Sequence, residues 1–265
     1  WKNILYFSLP YLLSYFLQTL YGMADLFIVG QFDGVASTTA VSIGSQVMHM
    51  LTVMIVGLAM GTTVTIGRAV GAGDSKKVSK TVGNTTVLFL GVSIILAGML
   101  LFLVRPIVSV MSTPTEAVDG TIRYLTICFI GIPFITAYNV IASIFRGMGD
   151  SKSPMYFIAI ACVINIGLDY LFIFVFKWGM FGAALATSLG YIVGALMILI
   201  YLMQSHRVLH LCKVKLSSKS LRLTLRNTGY MCKLGLSSFL CEAAIATMMF
   251  TGNYVFIHYL GEDGV

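Results

Sequence analysis

Charge is scarce in this chain. Only 10% of its 265 residues are Asp, Glu, Lys or Arg, against roughly 25% in a soluble domain. That shortage excludes an ordinary water-facing globule. The five cysteines contain no CxxC pair, and most fall in or beside apolar runs, so neither a disulfide framework nor a zinc site is indicated. His206 and His210 stand four residues apart in a basic loop with no third ligand, which reads as solvated surface rather than a metal site. A phosphate loop is missing as well. The segment GRAVGAGDSKK (67–77) has glycines but not the GxxxxGK[ST] spacing or a strand-to-helix context, so it reads as a tight turn, as does RGMGDSKSP (146–154). The net charge of +7 is scattered over short segments between apolar runs, unlike the clustered basic face that binds nucleic acid.

Apolar sequence is what the chain has in abundance, at 58%. Crossing roughly 30 Å of hydrocarbon takes about 20 residues as a helix. Seven runs reach that length, at about 4–30, 38–68, 82–104, 121–145, 154–176, 179–204 and 231–260. They are too long for barrel strands, and only a helix satisfies its own backbone in lipid. The fold class is therefore all-α, a polytopic membrane helix bundle. Pro10, Gln18 and Asp25 interrupt the first run and no small-residue cleavage site follows it, so it is expected to span rather than to be a signal peptide. Opening on Trp1 and ending at Val265 just after an apolar run, the chain is expected to be a piece of something longer.

The loops set an orientation. Fourteen of the seventeen Lys and Arg fall on one side, and only Arg105, Arg123 and Lys177 on the other. That bias predicts a cytoplasmic N-terminus. Residues 205–230, basic with interspersed leucines, read as an amphipathic linker along the cytoplasmic interface. A weak internal echo, Ser8-Leu9-Pro10 to Asp33-Gly34-Val35 against Gly235-Leu236-Ser237 to Asp263-Gly264-Val265, places a second repeat near residue 230. The expected organisation is a six-helix lobe at 1–204, the linker at 205–230, and the first helix of a second lobe at 231–265. Pro10 and Pro133 fall inside spans one and four, where each kinks a helix and frees a carbonyl. Small-residue rows such as Gly190 to Gly194 read as packing surfaces.

Two aspartates sit inside these runs, Asp25 in the first and Asp169 in the fifth. A carboxylate in hydrocarbon costs several kcal/mol unless it is protonated, paired or facing water. With the predicted orientation, Asp25 lies roughly 9 Å below the outer end of its span, and Asp169 and Thr187 roughly 12 Å below theirs. Asn165 is four residues before Asp169 and shares its helix face. Two carboxyls, an amide and a hydroxyl at one level offer oxygen ligands to a hard cation, or a hydrogen-bonded cradle for a proton. Two such carboxylates cannot both ionise cheaply, so one of the pair is expected to take up a proton reversibly near neutral pH. Glu242, in the seventh run, is expected either to contact substrate in a central cavity or to pair with a cytoplasmic Lys or Arg. Tyr138 and Asn139 join it as candidate cavity residues.

Together these segments resemble the multidrug and toxic compound extrusion (MATE) family. The residues that carry the likeness are Pro10 and Asp25-x-x-x-x-Gly30, Arg68-Ala-x-Gly71-Ala-Gly73, Arg146-Gly-Met-Gly149-Asp150, Asn165-x-x-x-Asp169 and Gly182-Ala-Ala-x-Ala-Thr187. The resemblance implies the first lobe and seventh helix of a twelve-helix, two-lobe transporter. It implies a secondary antiporter of the plasma (cytoplasmic) membrane that exports cationic or amphipathic organic compounds in exchange for H⁺ or Na⁺. Asp25, Asn165, Asp169 and Thr187 would form the cation or proton site, and Pro10 would be a helix-bending proline. No enzyme activity is implied and no cofactor beyond the coupling ion, with Na⁺ as the one metal. The expected partners are small-molecule organic cations or drugs and membrane lipid, not nucleic acid, with the transporter acting as a monomer. The alternative is a lipid-linked oligosaccharide flippase of related architecture, for which a strongly basic cavity is expected. A seven-helix receptor would need an extracellular N-terminus, and a retinal protein a lysine in the middle of span seven.

Overall fold

The computed structural model describes residues 2–32, 34–111 and 113–204, with scattered positions between 233 and 255. Six helices carry the fold: α1 (Lys2–Phe32), α2 (Val35–Gly71), α3 (Ser75–Val110), α4 (Val118–Gly147), α5 (Lys152–Asp169) and α6 (Gly179–Gln204). A π-helical segment, Tyr170–Val175, continues α5. All six are long and apolar enough to cross a membrane, and no strand occurs among the described residues. The expected linker at 205–230 lies outside the described residues, as do most of 231–265 and Glu242 within it.

The helices overrun the apolar runs at their ends. The third extends from Ser75 to Val110, past its apolar stretch at both ends, because its polar first turn, and Arg105 near its far end, sit in the headgroup region at no desolvation cost. It also carries Pro106 inside it, as α1 carries Pro10 and α4 carries Pro133. Short turns join the long rods. Gly73 takes φ +69° between α2 and α3, a conformation that costs other residues a clash at Cβ. Asp74 then accepts a hydrogen bond from the Lys77 backbone N–H at 3.0 Å, capping α3. Between α4 and α5, Asp150 Oδ1 accepts from the backbone N–H groups of Lys152 and Ser153 at 3.1 and 3.0 Å.

α4 stands at the centre, against α2, α3 and α6. Its Tyr124, Leu125, Cys128, Phe129 and Ile132 join Val41, Val47 and Leu51 of α2 and Ala183 and Ala184 of α6 in the largest core cluster. Small residues allow the closest approaches. A Cβ at Gly44 would overlap the Tyr124 ring, and one at Gly147 would come within 2.9 Å of the Thr63 carbonyl. Gly194 brings α6 onto Ala161 and Tyr138. By contrast α1 packs mainly against α5 and leaves most of its apolar face exposed.

The first turns of α1 are held by the turn between α4 and α5. Ser151 Oγ donates to the Phe7 carbonyl at 2.8 Å, and Lys152 Nζ donates to the Tyr6 hydroxyl at 2.5 Å. The Arg146 guanidinium sits 5.0 Å from the Tyr11 ring centre and donates to Ser143 Oγ at 2.9 Å. Arg146 counts as loop charge when read from sequence. In the structure it belongs to the last turn of α4, where the helix carbonyls favour a cation.

A candidate ion site on three helices

Asp25 lies seven residues before the end of α1, about 10 Å down the helix. Its carboxyl turns inward and is buried, with 1% exposure. Thr187 of α6 donates its hydroxyl to Asp25 Oδ2 at 2.6 Å. Asn165 of α5, fully buried, has one terminal atom of its amide 3.2 Å from Asp25 Oδ1 and 3.3 Å from Asp169 Oδ2, and assigning that atom as the nitrogen lets it donate to both. One NH2 group thus reaches two carboxyls from different helices, with a hydrogen for each. Asp169 is fully buried, and its Oδ1 has no hydrogen-bond partner among the described residues. The four residues expected at one level are brought into contact.

The hydrogen bonds of Thr187 fit either protonation state of Asp25. Thr187 Oγ1 lies 2.6 Å from Asp25 Oδ2 and 2.9 Å from the Ala183 carbonyl, and a hydroxyl has one hydrogen to give. When Asp25 is ionised, Thr187 donates to it. When Asp25 is protonated, its O–H can donate to Thr187, which then donates to the Ala183 carbonyl. Among the described residues, no lysine or arginine side chain bonds to either carboxyl. Asp25, Asp169 and Thr187 carry oxygens of the kind that could hold a hard cation such as Na⁺, and Asp169 Oδ1 has no hydrogen-bond partner among the described residues.

A second layer supports the first. Tyr124 of α4, 1% exposed, shares a 3.1 Å hydrogen bond with Ser45 of α2. A cleft with about 70 Å³ of room for water opens onto Asp25 and Thr187, and is lined further by Tyr15, Gln18, Ser45, Met48, His49, Thr52, Tyr124 and Tyr191. Asp169 and Asn165 are not among its lining residues, so Asp25 stands between the cleft and them. At the α1 end of the site, Phe32 packs on Phe174 and Tyr170 of the π segment, with ring centres 5.1 and 6.5 Å away.

Tyr138 and Asn139, the other expected cavity residues, make contacts within the described lobe. Both are buried inside the lobe, Tyr138 donating to the Pro154 carbonyl at 3.0 Å and Asn139 to the Ile135 carbonyl at 2.9 Å. Neither lines the cleft; a polar side chain in mid-span is as well used tying a helix to itself or its neighbour. His49 and Ser45 were missed. A histidine in the middle of an apolar span is itself a signal, whereas a serine there carries none.

Residues 10–171 match the MatE family model. The chain belongs to this family. It is 34% identical over 188 residues to the probable multidrug resistance protein YpnP of Bacillus subtilis, covering 71% of this chain and 42% of that protein. To the multidrug export protein MepA of Staphylococcus aureus it is 26% identical over 266 residues, covering 97% and 56%. A crystal structure of MATE in the bent conformation superposes with a TM-score of 0.84 at 30% identity, over all of this chain and 58% of that one. A MOP superfamily transporter from Pyrococcus furiosus, described as having a binding pocket of reverse polarity, gives 0.82 at 28% identity, over 100% and 57%. The chain spans about half the length of the relatives it matches. With this membership and six membrane-competent helices, it is an integral membrane protein.

Proposed function

We propose that this chain forms the first lobe of a secondary active antiporter, which exports cationic or amphipathic organic compounds in exchange for H⁺ or Na⁺. The observation that carries the reading is the pair of buried carboxyls bridged by the Asn165 amide, with Thr187 able to serve either protonation state of Asp25. The site is buried and opens by Asp25 onto a cleft lined with tyrosines. Aromatic faces attract organic cations, and the relatives' multidrug names point to the same substrate class. The flippase reading is less well supported, because the described cleft holds a carboxylate and a single histidine rather than a basic lining.

Exchange follows from linkage. If ion and substrate favour different states, each lowers the other's affinity by the same factor. With the N-terminus cytoplasmic, as the basic loops indicate, the site lies in the outer half of the membrane. A cation entering from there is driven inward by about 2.3 kcal/mol per charge per 100 mV. No bond is made or broken in this scheme.

Proteoliposomes of the full-length protein, given a Na⁺ or an H⁺ gradient separately, test the proposal. One of the two gradients is expected to drive uptake of an organic cation such as ethidium, and Asp25→Asn or Asp169→Asn to abolish it. Undiminished gradient-driven transport in both variants overturns the site assignment.

A further inference from the structure

α3 and α4 form a second cavity, with about 560 Å³ of room for water. Arg105 and Ser109 of α3, Thr113 of the connecting turn and Asp119 of α4 are the polar side chains that line it. No side chain lines both this cavity and the cleft at Asp25. Arg105 stands five residues before the end of α3, and Asp119 is the second residue of α4. Both therefore lie within about 8 Å of one end of the bundle, at the level of the headgroup layer. The two charged side chains are exposed, and neither makes a hydrogen bond or ion pair to a described residue. Thr113 gives its hydroxyl hydrogen to the Val108 carbonyl at 3.0 Å, which leaves the lone pairs of that oxygen to accept.

Below the cavity both helices turn apolar side chains outward. Ile95, Met99, Phe102, Arg105 and Ser109 follow one another at intervals of three and four, a single stripe along α3. Its three apolar members are exposed, Phe102 at 90%. On α4, Ile130 and Phe134 are exposed as well, both within about 60° of Asp119 around the helix. A pocket with charge of both signs thus opens at the head of an apolar strip.

We infer that this cavity binds a phospholipid with an ammonium headgroup, its phosphate on Arg105, its ammonium on Asp119 and its acyl chains along Phe102 and Ile95. A guanidinium meets phosphate oxygens through two parallel N–H bonds. The ammonium of phosphatidylethanolamine has three hydrogens, enough for Asp119 and for the hydroxyl oxygens of Ser109 and Thr113. The volume suits a headgroup, since ligand pockets run from about 300 to 1,000 Å³. Other occupants satisfy only part of the site. An anionic phospholipid meets Arg105 but faces the Asp119 carboxylate across the same cavity, where like charge repels. Inorganic phosphate meets the same repulsion and leaves the apolar strip uncovered. A headgroup carrying both signs neutralises both residues at once, and its bound chain joins α3 to α4 beyond the turn that connects them.

Native mass spectrometry of the delipidated full-length protein tests the site, by titration with the dioleoyl forms of phosphatidylethanolamine, phosphatidylcholine and phosphatidylglycerol. Wild type is expected to bind the ethanolamine lipid most tightly. Asp119→Asn should weaken that binding by roughly three- to fivefold, the scale of one partly exposed charge pair, and leave the affinity for phosphatidylglycerol unchanged or higher. Arg105→Gln should weaken all three lipids, since each carries the phosphate, and Arg105→Lys should recover part of the loss. Equal binding of the ethanolamine lipid by wild type, Asp119→Asn and Arg105→Gln overturns the inference. Should a variant fail to fold, the order of the three lipids on wild type decides. Phosphatidylglycerol binding tightest, or no preference among the three, overturns the inference without any substitution. Neither result touches the antiporter reading, because the titration uses no ion gradient and no transported substrate.

Discussion

Thr187 and Asp25 are 162 residues apart in the chain, yet the threonine hydroxyl stands 2.6 Å from the aspartate oxygen. That contact joins α6 to α1 in the buried interior, and the same hydroxyl has the Ala183 carbonyl within 2.9 Å as a second acceptor. Thr187→Val removes both bonds, whereas Thr187→Ser keeps them. A hydrogen bond to a charged group contributes about 1.5–3 kcal/mol, so Thr187→Val should weaken the apparent affinity for the coupling ion by tenfold or more. The serine variant should stay within about threefold. Ion-titrated efflux in proteoliposomes distinguishes them.

Asp169→Asn should separate function from stability. Removing one of two facing buried carboxyls relieves repulsion and leaves an amide able to hydrogen-bond Asn165. Thermal unfolding in detergent at pH 8 is expected to show an unchanged or higher Tm while ion-coupled transport is lost. A Tm lowered by several degrees would mean that the two carboxyls, sharing a proton, help to hold the lobe together.

Ligand linkage identifies the ion. A cation that binds the native site stabilises the protein as its concentration exceeds the dissociation constant, by about 2.7 kcal/mol at a hundredfold excess. If Na⁺ is the coupling ion, adding it should raise the Tm of wild type and not that of Asp25→Asn. Equal responses in the two proteins would exclude Na⁺ at this site.

Gly44→Ala should destabilise by about 1–3 kcal/mol, since the new Cβ overlaps the Tyr124 ring that bonds Ser45. At Gly98, in mid-α3 with nothing within 4 Å, alanine should be neutral or stabilising by up to about 1 kcal/mol. Denaturation of both variants under one set of conditions gives the comparison. Similar losses in both would remove the steric account.

Arg146→Leu should loosen the first turns of α1, because the guanidinium bridges Ser143 and the Tyr11 ring. A double-mutant cycle with Tyr11→Leu is expected to give a coupling of about 0.5–2 kcal/mol. A coupling indistinguishable from zero would make Arg146 an ordinary helix-end cation.

The shared level of Asp25, Asn165, Asp169 and Thr187 was legible in sequence for a simple reason. Each is a polar residue in an apolar run, and a constant rise per residue converts position into depth. Depth says nothing of direction, however, and sequence alone does not show that Tyr138 and Asn139 turn into the lobe and away from the described cleft. The six described spans could be read from length and hydropathy, but not their ends, because polar turns beyond the hydrocarbon obey no apolar count. The role of Arg146 was hidden for the same reason. Nothing in Tyr-Leu-Phe-Ile-Phe-Val marks a widened turn, since each of those residues suits an α-helix equally well in lipid.

That widened turn has a mechanical consequence. It begins at the residue after Asp169 and carries Tyr170 and Phe174, the two rings that meet Phe32 at the end of α1. Tightening it to α geometry would rewind everything beyond Asp169 and swing both rings away from Phe32. The aromatic contact with Phe32 and the acid one residue before the widened turn thus share one helical segment, so a change in that turn would alter how α1 meets the end of α5 while Asp169 keeps its place.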